Sequence, residues 1–269
     1  MITETKNLPQ NNNLSPPDRN FTLETYPNLQ KMFRKISNCG KGGLEFYNET
    51  TNETKKVPAY CDNRVCRNPE CQRHRLYKFQ SEHITQINLL RKTNKNRTRA
   101  WIFTTPRKPY PIDKTYIVNQ RKKLEKLINE NLHPKYGTDK PHSIHMEIKP
   151  HKDSYYLHFH CAIPYMKNLR LIRKIWGYQI KQQEAISQEK LPYYISKYAS
   201  KTPKFETKEA ILEYAHATYK TQMHKFQTPR SPTLPKSKDY QLINAQFPKS
   251  TATFYELQLW FENYALGAG

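Results

Sequence analysis

Tyr156-Leu157-His158-Phe159-His160-Cys161-Ala162-Ile163 has the aromatic and bulky apolar composition of a β-strand. Strand alternation sends His158 and His160 to one face and Leu157, Phe159 and Cys161 to the other. Two imidazoles on one face, with a large apolar residue turned away between them, make half of a metal site. Cys161, on the opposite face from the histidines, reads as packing.

The pattern extends in both directions. Upstream, Ala100-Trp101-Ile102-Phe103-Thr104-Thr105 reads as a strand ended by Pro106, and residues 113–132 as an amphipathic helix with Ile117, Leu124, Leu127 and Ile128 on one side. Ser143 to Ile148 reads as a second strand, Lys149 to Ser154 as a polar hairpin loop, and Tyr155 to Ile163 as the returning strand. Downstream, residues 167–176 read as a helix, a weak strand follows near Tyr178 to Lys181, and residues 190–201 form another helix. The order strand–helix–strand–strand–helix–strand predicts an α+β fold: a ferredoxin-like (RRM-like) antiparallel sheet with helices on one face. On the strand before the histidines, alternation puts His145 and Glu147 on one face. Pairing across residues 149–154 sets Glu147 opposite Tyr156 and diagonal to His158, within reach of a shared metal. Glu147 is the first choice for a carboxylate third ligand, and His145 competes with it. Two histidines and a carboxylate suit a divalent ion such as Mn²⁺ or Mg²⁺ that also binds substrate oxygen.

The chain has 269 residues, enough for one substantial domain and an accessory module, and carries a formal net charge of +22. An anionic partner is expected. No segment approaches the ~18 apolar residues of a membrane span, and the polar N-terminus lacks a signal-peptide core. Nucleic acid therefore precedes membrane as the partner, and the 19 tyrosines supply aromatic faces for base stacking. The expected location is cytoplasmic. Residues 1–20 read as a disordered leader, 21–80 as a loop-rich cysteine module, 81–202 as the core and 203–269 as a helical extension. Within this extension, 206–227 and 250–265 are the expected helices, and Thr228 to Lys238 is a linker.

In the helix over 190–201, Tyr194 and Tyr198 lie four residues apart, and so do Lys197 and Lys201. All four share one stripe. A phenol is a weak nucleophile until a metal-polarised phosphate and nearby cations assist it, and a lysine beside each phenol suits that chemistry.

His158-Phe159-His160 resembles the His-hydrophobe-His signature of HUH endonucleases. Tyr194-x-x-Lys197-Tyr198-x-x-Lys201 resembles the two-tyrosine motif of rolling-circle replication initiators. Phe103-Thr104-Thr105-Pro106 looks like the family's first motif, and Trp176-Gly177-Tyr178 sits where many plasmid and viral members carry a similar element. The resemblance covers roughly residues 100–201. It implies a palm with the histidine strand at its centre and a divalent metal on His158, His160 and a carboxylate. It also implies nicking and rejoining of single-stranded origin DNA through a 5′-phosphotyrosine. Either tyrosine suits the first attack, and Tyr198, flanked by Lys197 and Lys201, is preferred. No G-x-x-x-x-G-K-[ST] loop is present, so a host helicase and DNA polymerase, in a prokaryotic or archaeal host, would complete replication. A transposase of the HUH type shares this chemistry. A non-catalytic zinc-dependent DNA-binding regulator is the alternative of another class. The oligomeric state is not legible.

Cys39 and the run Cys61-x₄-Cys66-x₄-Cys71 suggest a structural Zn²⁺ site with four thiolates, with His74 as an alternative to Cys39. Similar cysteine modules precede the catalytic domain in archaeal and bacterial replication initiators. An odd total of five cysteines without an export signal argues against a disulfide framework. Arg64, Arg67, Arg73 and Arg75 crowd the same segment and are candidate phosphate contacts.

Overall fold

In the computed structural model the histidine stretch lies within the strand Ser154–Pro164, near the middle of the largest sheet. The structure describes residues 13–14, 23–24, 26–93, 97–131, 142–151, 153–164, 169–183, 186–200, 204–205, 207–221, 223–227, 241–246 and 254–265. In chain order the first elements are β1 (Asn13–Leu14), α1 (Pro27–Ser37), β2 (Gly42–Asn48), β3 (Glu53–Ala59), α2 (Pro69–Thr93) and β4 (Thr98–Thr104). Next come β5 (Lys108–Pro109), α3 (Lys114–Asn131), β6 (His142–His151), β7 (Ser154–Pro164), α4 (Leu169–Trp176) and β8 (Ile180–Gln183). The last are α5 (Leu191–Ser200), β9 (Lys204–Phe205), α6 (Lys208–Thr218), β10 (His224–Gln227), β11 (Gln241–Gln246) and α7 (Phe254–Ala265).

The main sheet has the order β10-β6-β7-β4-β8, with β5 added beside β7, and every pairing is antiparallel. Strand β7 is the most apolar and takes an inner position, paired to β6 on one side and β4 on the other. The hairpin is tighter than expected. Lys149, Pro150 and His151 pair with Tyr156, Tyr155 and Ser154, so only two residues separate the last paired positions. Their polar composition reads as a loop, but ladder hydrogen bonds outweigh composition here. As a correction to the expected register, Glu147 stands directly opposite His158, not Tyr156. The shift is by two residues, so the face is unchanged.

Alternation divides the core in two. Trp101, Phe103, Ile144, Met146, Leu157, Phe159, Cys161 and Ile163 face α3 and α4, where Ile117, Leu124, Leu127, Ile128, Ile172 and Trp176 complete the packing. Full burial of a side chain such as Phe159 contributes roughly 1.5–3 kcal/mol. On the other face Ala100 and Ala162 leave room for helices, and Ile87 and Leu90 of α2 meet Leu191 and Ile195 of α5 there. Helices therefore cover both faces, which corrects the expectation of one. The small residues that admit this second layer carry no periodic signal of their own.

The N-terminal module is less loop-like than expected, because β2 and β3 form a hairpin. Most of β3 is exposed, so it lacks the apolar alternation that marks a half-buried strand. Helix α2 begins at Pro69 and runs through the boundary placed at 80/81, its first turns being too polar to show a helical period. The C-terminal region is not only helical. Helix α6 ends at Thr218, and Lys220 takes a left-handed backbone (φ 54°). The chain then adds β10 to the sheet edge beside β6, while β11 pairs with β2. The last expected helix is α7, and Phe261 packs edge-on to Phe33 of α1 at 4.8 Å. Most of the leader lies outside the described residues, but Asn13–Leu14 pair in parallel with Lys204–Phe205. The linker at 228–238 also lies outside them.

Candidate active site and metal centres

The β6/β7 register sets the first site. Glu147 pairs with His158 and His145 with His160, all on the face opposite α3 and α4. Glu147, His158 and His160 each bring a donor atom within 4.8 Å of the others. His160 Nε2 lies 3.3 Å from Glu147 Oε2, and Lys149 Nζ lies 3.2 Å from Glu147 Oε1. The carboxylate is thus held between a cation and an imidazole. Lys149 was missed by sequence reasoning, although it lies two residues from Glu147, on the same strand face.

His145 does not join this group. It is fully buried, and its ring packs 4.8 Å from that of His83 on α2. Burial, with neighbouring His83 and His160, holds its imidazole well below the usual range. His83 is a second residue that sequence reasoning passed over, since its neighbour is remote in sequence.

Helix α5 delivers the tyrosines. The ring of Tyr198 stacks on that of His160, with centroids 3.5 Å apart and planes at 9°. Tyr194 lies edge-on to Tyr198 at 5.2 Å and 6.5 Å from the His160 ring. Burial, reinforced by its contact with Tyr198, pushes the Tyr194 phenol above its ordinary value. That phenol is neutral at physiological pH and needs activation to attack. Lys197 is exposed on α5, and Lys201 lies outside the described residues.

The end of β4 braces the same region. Thr104 is the register partner of His158. Thr105 N–H donates to the Leu157 carbonyl at 3.0 Å, and Leu157 N–H donates to Thr105 Oγ1 at 2.9 Å. Trp176 Nε1–H donates to the Thr104 carbonyl at 2.7 Å. Phe103, Thr104 and Trp176 thereby hold β4 against β7 and α4.

Cys39, Cys61, Cys66 and Cys71 bring their sulfurs within 4.8 Å of one another. Cys61 and Cys71 sulfurs are 3.7 Å apart. A tetrahedron with Zn–S near ~2.3 Å has S···S edges of about 3.8 Å, so the donor set fits Zn²⁺. Three segments converge: the end of α1, the loop after β3 and the first turn of α2. Asn68 joins them. Its Oδ1 accepts from the N–H groups of Glu70 and Cys71, and its Nδ2 donates to the Cys39 carbonyl at 3.4 Å. Gly40 has φ 81°, and a Cβ there would lie 3.3 Å from Asn68 Nδ2, so glycine suits this turn on both counts. Hydrogen bonds from Cys61 and Cys66 hold the Cys71 thiol down to about 2, while contacts with Cys66 and Cys71 push Cys61 up. Metal binding to such a set requires the thiols to lose their protons.

His74 does not replace Cys39: its Nδ1 lies 3.1 Å from Asp62 Oδ1. Arg75 is buried and donates to the Asn63 carbonyl at 2.6 Å, and Arg73 pairs with Glu70. Of the four arginines expected at phosphates, Arg75 is therefore structural. Cys161 is buried among apolar residues. No described helix is long and apolar enough to cross a membrane. No family model, no curated protein and no solved structure matches this chain.

Proposed function

We propose that the chain is a rolling-circle replication initiator of the HUH type, which nicks and rejoins single-stranded origin DNA through a 5′-phosphotyrosine. The observation that carries this reading is the stacking of Tyr198 on His160, beside Glu147 and His158. A nucleophile and a divalent-metal donor set converge there from elements distant in sequence. The strand order β8-β4-β7-β6, connected through α3 and α4, matches a ferredoxin-like unit and supports the HUH palm. The net charge of +22 supports a polyanionic substrate.

His158, His160 and Glu147 would hold Mn²⁺ or Mg²⁺, and such an ion supplies Lewis-acid polarisation of the scissile phosphate. Tyr198 or Tyr194 attacks the phosphorus through its phenolic oxygen. A P–O(Tyr) bond forms as the P–O3′ bond breaks. The phenol gives up its proton and the departing O3′ takes one. Lys197, carried by α5, and Lys201 serve as counter-ions for the phosphate. The released 3′-OH primes a host polymerase, and the second tyrosine serves the terminating transfer. Such a protein works in the cytoplasm of a prokaryotic or archaeal host. The cysteine cluster serves as its structural Zn²⁺ site.

Incubation with labelled single-stranded origin oligonucleotides and Mn²⁺ tests the reading. Wild type is expected to form a covalent adduct that depends on Mn²⁺. The Tyr194→Phe/Tyr198→Phe double variant is expected to form none, and adduct from that variant overturns the assignment. Reaction at transposon-end hairpins but not at origins would favour the HUH transposase. Sequence-specific binding without any adduct would favour the zinc-dependent regulator, which leaves Tyr194 and Tyr198 without a role.

A further inference from the structure

A groove of about 750 Å³ opens between α1, the segment after β3, α2 and the end of α6. Four cationic side chains line it: Lys31 and Lys35, one turn apart on α1, with Arg64 and Lys220. Asp62 is the acidic residue at its wall, and that carboxylate is already engaged by Lys78 at 2.7 Å and His74 at 3.1 Å. The rings of Phe79 and Tyr219 also line the groove. Cations beside aromatic faces are what a single nucleic-acid strand requires, for its phosphates and its bases. The volume lies within the ~300–1,000 Å³ of ligand clefts.

The backbone shapes the groove wall. Asp62 (φ 53°) and Lys220 (φ 54°) both have left-handed conformations, and both line this groove. At Lys220 this conformation ends α6 and turns the chain along the groove wall.

A line of contacts runs from the groove toward the candidate active site. Phe79 packs 5.7 Å from His83, and His83 packs 4.8 Å from His145, the register partner of His160. Met223, at the groove wall, accepts through its carbonyl from the N–H of Met146, the residue before Glu147.

We infer that this groove binds a single-stranded DNA segment flanking the scissile phosphate, with bases against Phe79 and Tyr219 and phosphates on Lys31, Lys35 and Lys220. The choice of ligand rests on the nicking function proposed above, while the groove itself is separate from the tyrosine chemistry. It gives the cysteine module a task in substrate binding, because Arg64 and Asp62 belong to the loop between Cys61 and Cys66.

Binding of a short fluorescent thymidine oligonucleotide to the full zinc-loaded chain, measured over a range of salt without added Mn²⁺, tests this. The Lys31→Ala/Lys35→Ala variant is expected to bind at least about tenfold more weakly, with a salt slope shallower by about 1.4, the value for two lost phosphate contacts on a single strand. Both lysines are exposed, so the variant should keep the wild-type melting temperature. An oligonucleotide carrying 5-iododeoxyuridine should crosslink to Phe79 or Tyr219 on irradiation. Wild-type affinity and slope in the variant, with crosslinks elsewhere and Mn²⁺-dependent adduct intact, would overturn the groove and leave the nicking function standing. Wild type that binds no single strand would overturn both. Tighter binding of duplex, or competition by free thymidine monophosphate as strong as by the oligonucleotide, would overturn the single-strand assignment.

Discussion

The two candidate metal centres of this chain are built in opposite ways. The four cysteines come from a helix end, a loop and the first turn of another helix, and a hydrogen-bonding asparagine joins these pieces. The Glu147–His158–His160 group sits on two adjacent strands whose register runs from Ser143↔Ala162 to His151↔Ser154. In the first, the donors lie outside any sheet and come from three separate segments, so a metal would tie those segments together. In the second, the sheet already fixes the donors, so the protein would organise a metal. The thiol set also supplies four donors, whereas the second set supplies three and faces two phenols.

The largest expected effect breaks or confirms the first half of this contrast. Metal analysis should find about one zinc per chain, and removing it by chelation, or by Cys71→Ser, should lower the melting temperature by more than about 10 °C, since structural zinc contributes on the order of 10 kcal/mol in small modules. A zinc-free chain that melts like the wild type would erase the distinction. The second half predicts the reverse pattern. His158→Ala/His160→Ala should reduce covalent adduct by ~10³-fold or more, with a melting temperature within a few degrees of wild type. Loss of folding in that variant would mean that the histidines support the sheet and not only a metal.

A third measurement concerns the buried layer beneath the open site. Burial pushes the His83 imidazole down to about 4. Between the unfolded value near ~6.5 and about 4, the unfolded chain binds a proton that the folded chain excludes. Stability should therefore fall as pH drops through that window, by roughly 3 kcal/mol from His83, with buried His145 adding to the loss, and His83→Leu should make the urea-denaturation profile shallower there without levelling it. An unchanged slope would place the acid-sensitive group elsewhere. The smallest effect tests the bracing of β4. Trp176→Phe removes the donor to the Thr104 carbonyl and should cost about 1–2 kcal/mol in urea denaturation. A neutral result would mean that ring packing against Phe103 and Phe159 suffices.

Much of the site was legible because it depends on short periods. Alternation placed His158 and His160 together and turned Cys161 away. Helical spacing placed Tyr194 beside Tyr198, and the cysteine spacing identified four sulfurs that do converge. The choice between Glu147 and His145 was not legible. Both occupy the same strand face, and only the hairpin register, together with the packing of α2 over His145, separates them. The edge strands β3, β10 and β11 were missed for a related reason. Edge and exposed strands owe their existence to partners, not to an apolar pattern of their own.

What the amino-acid sequence alone determined were local and periodic features: which face of the strand carries imidazoles, which face of the helix carries phenols, and which segment gathers thiols. What the tertiary structure decided were the meetings between segments: Glu147 opposite His158, Tyr198 on His160, His145 withdrawn against His83, and a cationic groove made from four parts of the chain. A repeat of two or 3.6 residues is written in the chain itself, whereas register and helix placement follow from the burial of surfaces far apart in sequence, which no single segment encodes.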